Sequence, residues 1–294
     1  MARVGDIRIG ISGWRYSPWR GVFYPKDLPQ KRELAFASGR FRSIEINGTF
    51  YSLQRPESFA AWVAETPDDF VFAVKGPRYI THMLRLREVE EPLANFFASG
   101  VLRLGPKLGP ILWQFPPNFR FEPDRLETFF KLLPRDTTGM ARAARRHGPR
   151  MKGRSWLKVE SRRPVRHAME IRHESFVDPA FIRLLRRYRV ALVCADTVAW
   201  PRLMDLTSDF IYCRLHGSEE LYASGYTPRD LGTWARRVAA WATGEEPRDA
   251  KRVIDRPAPR RRSRDVYVYF DNDRKVHAPF DADSLTQKVG RRLR

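Results

Sequence analysis

Short apolar runs with strand character recur eight times along the chain, at 7–12, 43–47, 70–75, 110–115, 167–172, 190–196, 210–216 and 266–271. They are rich in β-branched and aromatic residues, and several alternate apolar with polar positions, the period of an extended chain. Between several of them, apolar residues spaced three and four apart predict helices at 57–65, 92–102, 124–133, 179–188 and 229–243. Pro123-Asp124, Asp178-Pro179 and Thr227-Pro228 supply helix-start chemistry, because proline suits the first turn, where its missing N–H costs nothing. Strands alternating with helices imply parallel pairing, and eight units favour a closed (β/α)8 TIM barrel over an open sheet.

Two stretches interrupt this pattern. Residues 135–166 carry eleven Lys or Arg against Asp136 and Glu160, and residues 243–264 carry eight against four acids. The first is read as a basic insertion holding a helix around 140–146, the second (about 244–264) as a Pro-rich loop. Without them about 240 residues remain, close to one barrel, so a single TIM-barrel domain over 1–294 is expected. With the tail from Gln287 (Lys288, Arg291, Arg292, Arg294), these segments hold about 17 of the 20 net positive charges. Such a field attracts phosphates and other polyanions. The competing reading is an ordinary solvated surface, and no zinc-finger, helix-turn-helix or RNP pattern adds to the nucleic-acid reading.

Composition excludes other classes. At 43% hydrophobic and 13% aromatic, the chain has ample material for a core and is not a disordered composition. No apolar run approaches the ~18–20 residues needed to span a bilayer. The opening MARVGDIRIG lacks the apolar centre of a secretion signal, so a cytoplasmic location and no membrane partner are expected. Cys194 and Cys213 cannot form a disulfide framework or a four-thiolate zinc site, and their apolar surroundings predict buried thiols.

In a parallel barrel the chemistry sits at the C-terminal ends of the strands. There the sequence places Glu45 and Asn47 on one face of strand two, opposite Ile44 and Ile46. Lys75 ends strand three, Gln114 strand four, Glu170 and Arg172 strand five, and Asp196 strand six. Strand seven aligns Tyr212, Arg214 and His216, and strand eight ends in Asp271 and Asn272. Buried charges must pair or serve a site. The candidate catalytic residues are therefore Glu45, Lys75, Glu170 and His216. The candidate binding residues are Trp14, Asn47, Tyr51, Gln114, Arg172, Asp196, Arg214 and Asn272, and the structural alternative is an ion-pair network closing the barrel top. The aromatic stretches GWRYSPWRGVFYP, GTFYSL and LYASGYT suit stacking on a sugar or base, or packing of the loops on one another. A divalent metal held by Glu45, Glu170, Asp196 and His216 is conceivable but not favoured, since no HExxH, CxxC or DxDxDG spacing supports it, and the cofactor is left unknown. No GxGxxG, P-loop or GxSxG is present.

These residues lie in segments that resemble the DUF72 (YecE-like) family: IGISGWRYSPWRGVFYP, FRSIEINGTFY, FVFAVKGPRYITH, LGPILWQFPPNF, HAMEIRHESF, VALVCADT, DFIYCRLHG and DVYVYFDND, in this order over roughly 7–280. The resemblance implies a TIM barrel and brings no activity with it. Its recurring positions map onto Trp14, Glu45, Asn47, Tyr51, Lys75, Gln114, Glu170, Arg172, Asp196, Arg214, His216 and Asn272. No role carries over to 135–166, which is longer than in compact members.

Three functions follow as expectations. The first is an enzyme (hydrolase, isomerase or lyase) working by acid/base chemistry on a small polar, carbohydrate-like or phosphorylated substrate. Arg172 and Arg214 would hold an anionic group, Glu45 and Glu170 would serve as acid and base, and Lys75 as electrophile or proton donor. The second is a nucleic-acid-binding or processing protein that grips phosphates with its basic insertions and stacks bases on its aromatics. The third is a non-catalytic ligand-binding protein. The oligomeric state is left open.

Overall fold

The computed structural model describes residues 4–217 and 219–293. Eight strands, β1 (Ile7–Ser12), β2 (Ser43–Ile46), β3 (Val71–Lys75), β4 (Leu108–Gln114), β5 (His167–Glu170), β6 (Ala191–Asp196), β7 (Phe210–Leu215) and β8 (Asp265–Phe270), pair in parallel in sequence order. β8 closes back onto β1, with Ile9 opposite Val268. The expected (β/α)8 TIM barrel is the fold.

The outer layer consists of α1 (Glu33–Ser38), α2 (Gly48–Tyr51), α3 (Pro56–Ala64), α4 (Glu90–Ala98), α5 (Pro123–Leu132), α6 (Thr137–Ala144), α7 (Pro179–Tyr188), α8 (Pro228–Ala242) and α9 (His277–Leu293). The helix starts follow from local chemistry. Asp178 accepts a hydrogen bond from the Ala180 N–H, at 2.6 Å, and Thr227 and Asp230 form a reciprocal capping box at the head of α8.

Strand alternation divides the core. Ile9, Ile11, Ile44, Ile46, Phe72 and Val74 point outward into the helix layer, in one cluster with the buried faces of the helices. Inside the barrel, small residues (Ala73, Ala168, Ala191, Ala195) lie among large ones (Tyr212, Tyr267, Tyr269). This mixture fills the interior to its axis, as a closed eight-stranded barrel requires. Cys194 and Cys213 are buried free thiols, paired across β6 and β7 on the outward face.

Three expectations change in detail. The helix read at 92–102 ends at Ala98, because Gly100 takes φ 119° and turns the chain into 3-10 turns over Val101–Lys107 that are themselves kinked at Gly105. The stretch 135–166 opens with α6, which buries Met140, Ala141 and Ala144, so its first third belongs to the helix layer; the remainder is mostly irregular. The tail, read only for its charge, is the long helix α9, which packs Ala278, Ala282, Leu285 and Val289 inward. Arg294 lies outside the described residues. The loop 244–264 carries no helix or strand up to Arg264. Among the described residues, no helix is long and apolar enough to cross a membrane.

Candidate functional site

Six strands bring a polar residue at or near their C-terminal end to the mouth of the barrel: Ser12 of β1, Glu45 of β2, Lys75 of β3, Gln114 of β4, Glu170 of β5 and Arg214 of β7. The centre of the mouth is Arg214 of β7, with no exposed surface. Its Nε and Nη2 donate to Glu45 Oε2 and Oε1 at 3.1 and 2.9 Å, in the bidentate arrangement a guanidinium shares with a carboxylate. Nη1 donates to Glu170 Oε2 at 2.7 Å, and Nη2 also reaches Asp271 Oδ2 at 2.8 Å and Ser12 Oγ at 3.0 Å. One guanidinium therefore ties together β1, β2, β5, β7 and the segment after β8.

The carboxylates are correspondingly committed. Glu45 accepts four hydrogen bonds, from Arg214 twice, from the Ser12 hydroxyl and from the Tyr212 hydroxyl, the last two at 2.6 Å. Glu170 accepts from Arg214, from Gln114 Nε2 at 2.9 Å and from Arg172 Nε at 3.0 Å. Burial alone would raise the Glu170 pKa, but Arg214 and Arg172 outweigh it and hold the carboxyl well below the usual range. Asp271 is likewise held low, by Arg214 and His216 against its desolvation. His216, fully buried, lies between the two: Nδ1 is 3.0 Å from Asp271 and Nε2 is 3.7 Å from Glu170. The ring also packs edge-on against Trp200 and Tyr222.

Above this frame lies a more accessible layer. Arg172 stacks over the Trp200 ring at 4.1 Å and donates to the Tyr222 hydroxyl at 3.0 Å. Lys75 ends β3 with its ammonium 4.3 Å from the centre of the Phe50 ring. No carboxylate pairs directly with it among the described residues. Desolvation, then Arg214, lowers its pKa to about 8, against the raising pull of Glu45, Asp271 and Glu170. Asp273, half-buried beyond β8, moves the other way: desolvation and the neighbouring Asp271 raise it to about 6. Asn47 donates to Ser12 Oγ at 3.0 Å. With Lys75 protonated, the cluster balances three cations (Lys75, Arg172, Arg214) against Glu45, Glu170 and Asp271.

Of the residues singled out in the sequence, Glu45, Asn47, Lys75, Gln114, Glu170, Arg172, Arg214 and His216 converge at this mouth. Four do not join the cluster. Trp14 follows Gly13, whose φ of 87° swings the chain outward, and its ring packs edge-on against Trp62 and near Phe72 in the helix layer. Asp196 shares the outward face of Leu192 and Cys194, where Arg202 (2.6 Å) and Trp234 Nε1 (3.0 Å) hold it. The tetrad of Glu45, Glu170, Asp196 and His216 conceived as metal ligands is therefore not assembled, and among the described residues no group of three or more acidic, His or Cys side chains is placed to hold a metal ion. Asn272 turns away from the axis to bind Asp281 of α9 at 2.8 Å and the Ser224 carbonyl at 3.0 Å. Tyr51 stands 67% exposed on the outer rim beside Arg78.

The expectation that Arg214 would hold a ligand anion also changes, since its guanidinium is buried and committed to three carboxylates. Sequence reasoning passed over Ser12, Trp200 and Asp273, gave Tyr212 and Asp271 no site role, and offered Tyr222 only as a stacking aromatic. Strand parity would have found two of them: Ser12 is in phase with Gly10, and Asp271 with Tyr269, on the inward face.

Comparisons with known proteins agree with this architecture. Over its whole length the chain is similar to a DUF72 family protein from Thermotoga maritima of known structure (TM-score 0.70, 23% identity, 97% of this chain and 99% of that one). It is also similar to one from Enterococcus faecalis (TM-score 0.66, 16% identity, 97% and 95%); at these identities the likeness speaks for the fold. In sequence it is 32% identical over 118 residues to UPF0759 protein YunF of Bacillus subtilis and 31% identical over 113 residues to UPF0759 protein YecE of Escherichia coli. Each match covers 38% of this chain, and 41% and 39% of the relatives' length. The family described as "Protein of unknown function DUF72" matches residues 8–294, and the chain belongs to that family.

Proposed function

We propose that the mouth of the barrel is the active site of an enzyme that moves protons on a small polar substrate bearing an anionic group. The observation that carries this reading is Lys75: a buried ammonium with no directly paired carboxylate among the described residues, tuned to about 8 and set at a strand end above a rigid ionic frame. Perturbed ionisable groups at strand ends are the ordinary signature of acid–base work. Lys75 is the proton donor, and Asp273, raised to about 6 beside Asp271 on the β8 side of the mouth, is the group assigned as base. Between those two values the lysine is charged and the aspartate ionised, so one group is ready to give a proton and the other to take one.

Glu45 and Glu170 take a different part from the acid and base first expected. Their oxygens are filled by donors and their side chains have no exposed surface, so they act as fixed counter-charges: Glu45 holds Arg214, Glu170 holds Arg214 and Arg172, and both favour the charged form of Lys75. Arg172 holds the anionic group: Nη1 has no partner among the described residues, while stacking on Trp200 fixes the plane of the guanidinium. Phosphate, carboxylate and sugar-acid substrates all suit it.

The test does not require the product to be known. The purified protein is incubated in D2O with sugar phosphates, hydroxy acids and keto acids, and deuterium incorporation is followed by NMR. Exchange into at least one compound is expected, bell-shaped in pH with limbs near 6 and 8, and lost in K75M. Exchange that survives K75M unchanged, or a panel in which nothing exchanges or turns over, would overturn the reading.

A further inference from the structure

The two basic segments of the sequence, unused by the site above, meet on the opposite face. A cleft of about 760 Å³ lies at the N-terminal ends of the strands, bordered by the starts of β4 and β7 and the residues leading into β5 and β6. Arg135, Arg163 and Arg166 come to it from the first basic segment, Arg261 from the second, and Arg187 and Arg189 from the end of α7. Among the described residues, the one acid in its lining is Asp209.

Arginines on a surface normally find carboxylates, and two of these do. Arg166 pairs with Asp265 at 2.7 Å and Asp209 at 3.4 Å, and Arg187 with Glu127 at 3.2 Å. Arg135, Arg163, Arg189 and Arg261 have no acidic partner among the described residues. Among the described residues the Arg163 side chain donates only to Ser161 Oγ at 3.0 Å, and Arg135 lies 5.9 Å from the Tyr188 ring. Desolvation and the nearby Arg189 both work against the charge on Arg135. Like charges gathered in one concavity repel, and an anion placed among them removes that repulsion. The rest of the lining is of another kind: Tyr188 and Tyr267 with Pro106, Pro164 and Val165. Aromatic and apolar residues beside guanidinium groups without acidic partners fit a compact ligand with an organic body better than a smooth backbone alone, and the volume lies within the ~300–1,000 Å³ of small-molecule sites.

We propose that this cleft is a second ligand site, distinct from the barrel mouth, for a molecule carrying two or more phosphoryl groups on a ring-bearing body, the chemistry of a nucleoside di- or triphosphate. The phosphates lie among Arg135, Arg163, Arg189 and Arg261, and the ring against Tyr188 and Tyr267.

The full chain is titrated calorimetrically with ATP, inorganic tripolyphosphate, adenosine, and 20-nucleotide single-stranded and duplex DNA, at two salt concentrations. The variants are R135E/R189E and, as a control of equal charge change on α9, R291E/R292E; melting curves establish that each is folded. We expect one ATP per chain, weaker binding of tripolyphosphate, none of adenosine, at least a tenfold loss in R135E/R189E and less than twofold in the control. Equal losses in both variants, or several equivalents of ATP bound, would reduce the cleft to part of a diffuse positive field and overturn the proposal. DNA binding tighter than ATP and abolished by R135E/R189E would overturn it in favour of a nucleic-acid surface, and unaltered ATP binding in R135E/R189E would place the ligand elsewhere.

Discussion

Arg214→Met tests whether the ionic frame, rather than the apolar core alone, closes the top of the barrel. Methionine keeps much of the volume and removes five N–H donors. In the wild type those donors serve Glu45, Glu170, Asp271 and Ser12, all within 3.1 Å. Glu45 would keep only Ser12 and Tyr212, and Glu170 would keep Gln114 and Arg172. Breaking a buried pair by removing one partner costs about 3–5 kcal/mol, because charge remains without compensation. For a chain of this size that is a fall on the order of 5–10 °C in melting temperature. The pH dependence is the sharper readout. In the wild type Glu170 and Asp271 have depressed pKa values, so the stability they contribute is present above the ordinary carboxylate range near 4 and is lost as pH falls through the folded values. In the variant the same carboxyls are buried without Arg214, their pKa values rise, and protonation relieves them. The stability gap between the two proteins should therefore be widest near pH 7 and shrink towards pH 4. Urea unfolding at pH 7.5, 6 and 4.5 measures it. A cost under 1 kcal/mol, or a gap that does not narrow in acid, would refute the electrostatic account of the frame.

Other predictions follow from single contacts. Lys75 should react with an amine-acylating reagent with a midpoint near pH 8, ahead of surface lysines near ~10.4, as read by peptide mass spectrometry; labelling in step with the surface lysines would count against the tuned ammonium. Because its folded pKa lies below the unfolded value, the buried charge costs stability at pH 7, and that cost disappears as pH rises through 8 towards 10. K75M should thus be more stable than the wild type at pH 7 by about 1–3 kcal/mol, with little difference at pH 10. Tyr212→Phe removes one donor from buried Glu45 and should cost about 1–3 kcal/mol in chemical denaturation; a neutral result would mean that water or a neighbour takes its place. Trp14→Ala should cost about 3–5 kcal/mol through the cavity left against Trp62 and Phe72, yet leave the affinity of the mouth for its ligand unchanged; a selective loss of affinity would return Trp14 to the site.

The alternation of residues along each strand, fixed by covalent geometry, made the barrel and much of its mouth legible. Glu45 against Ile44 and Ile46, and Arg214 against Cys213 and Leu215, could point only one way once the apolar partners were assigned to the helix layer. The same rule, carried one residue past the strand ends, separates inward Asp271 from outward Asn272 and places Asp196 with Leu192 rather than with Ala195. It fails at Trp14, because the left-handed turn at Gly13 breaks the alternation.

Partnership was decided by the tertiary structure. Nothing in the chain order says that Arg214 is consumed by Glu45, Glu170 and Asp271 while Lys75, among the described residues, is left without a directly paired carboxylate, since Arg214 meets those acids across 44 to 169 positions of sequence. Nor does it say that two basic segments far apart in sequence share one cleft. Local sequence determines which way a side chain faces; whether a charge is neutralised or free depends on the closure of the barrel, which sets distances between strands that the chain itself leaves unlinked.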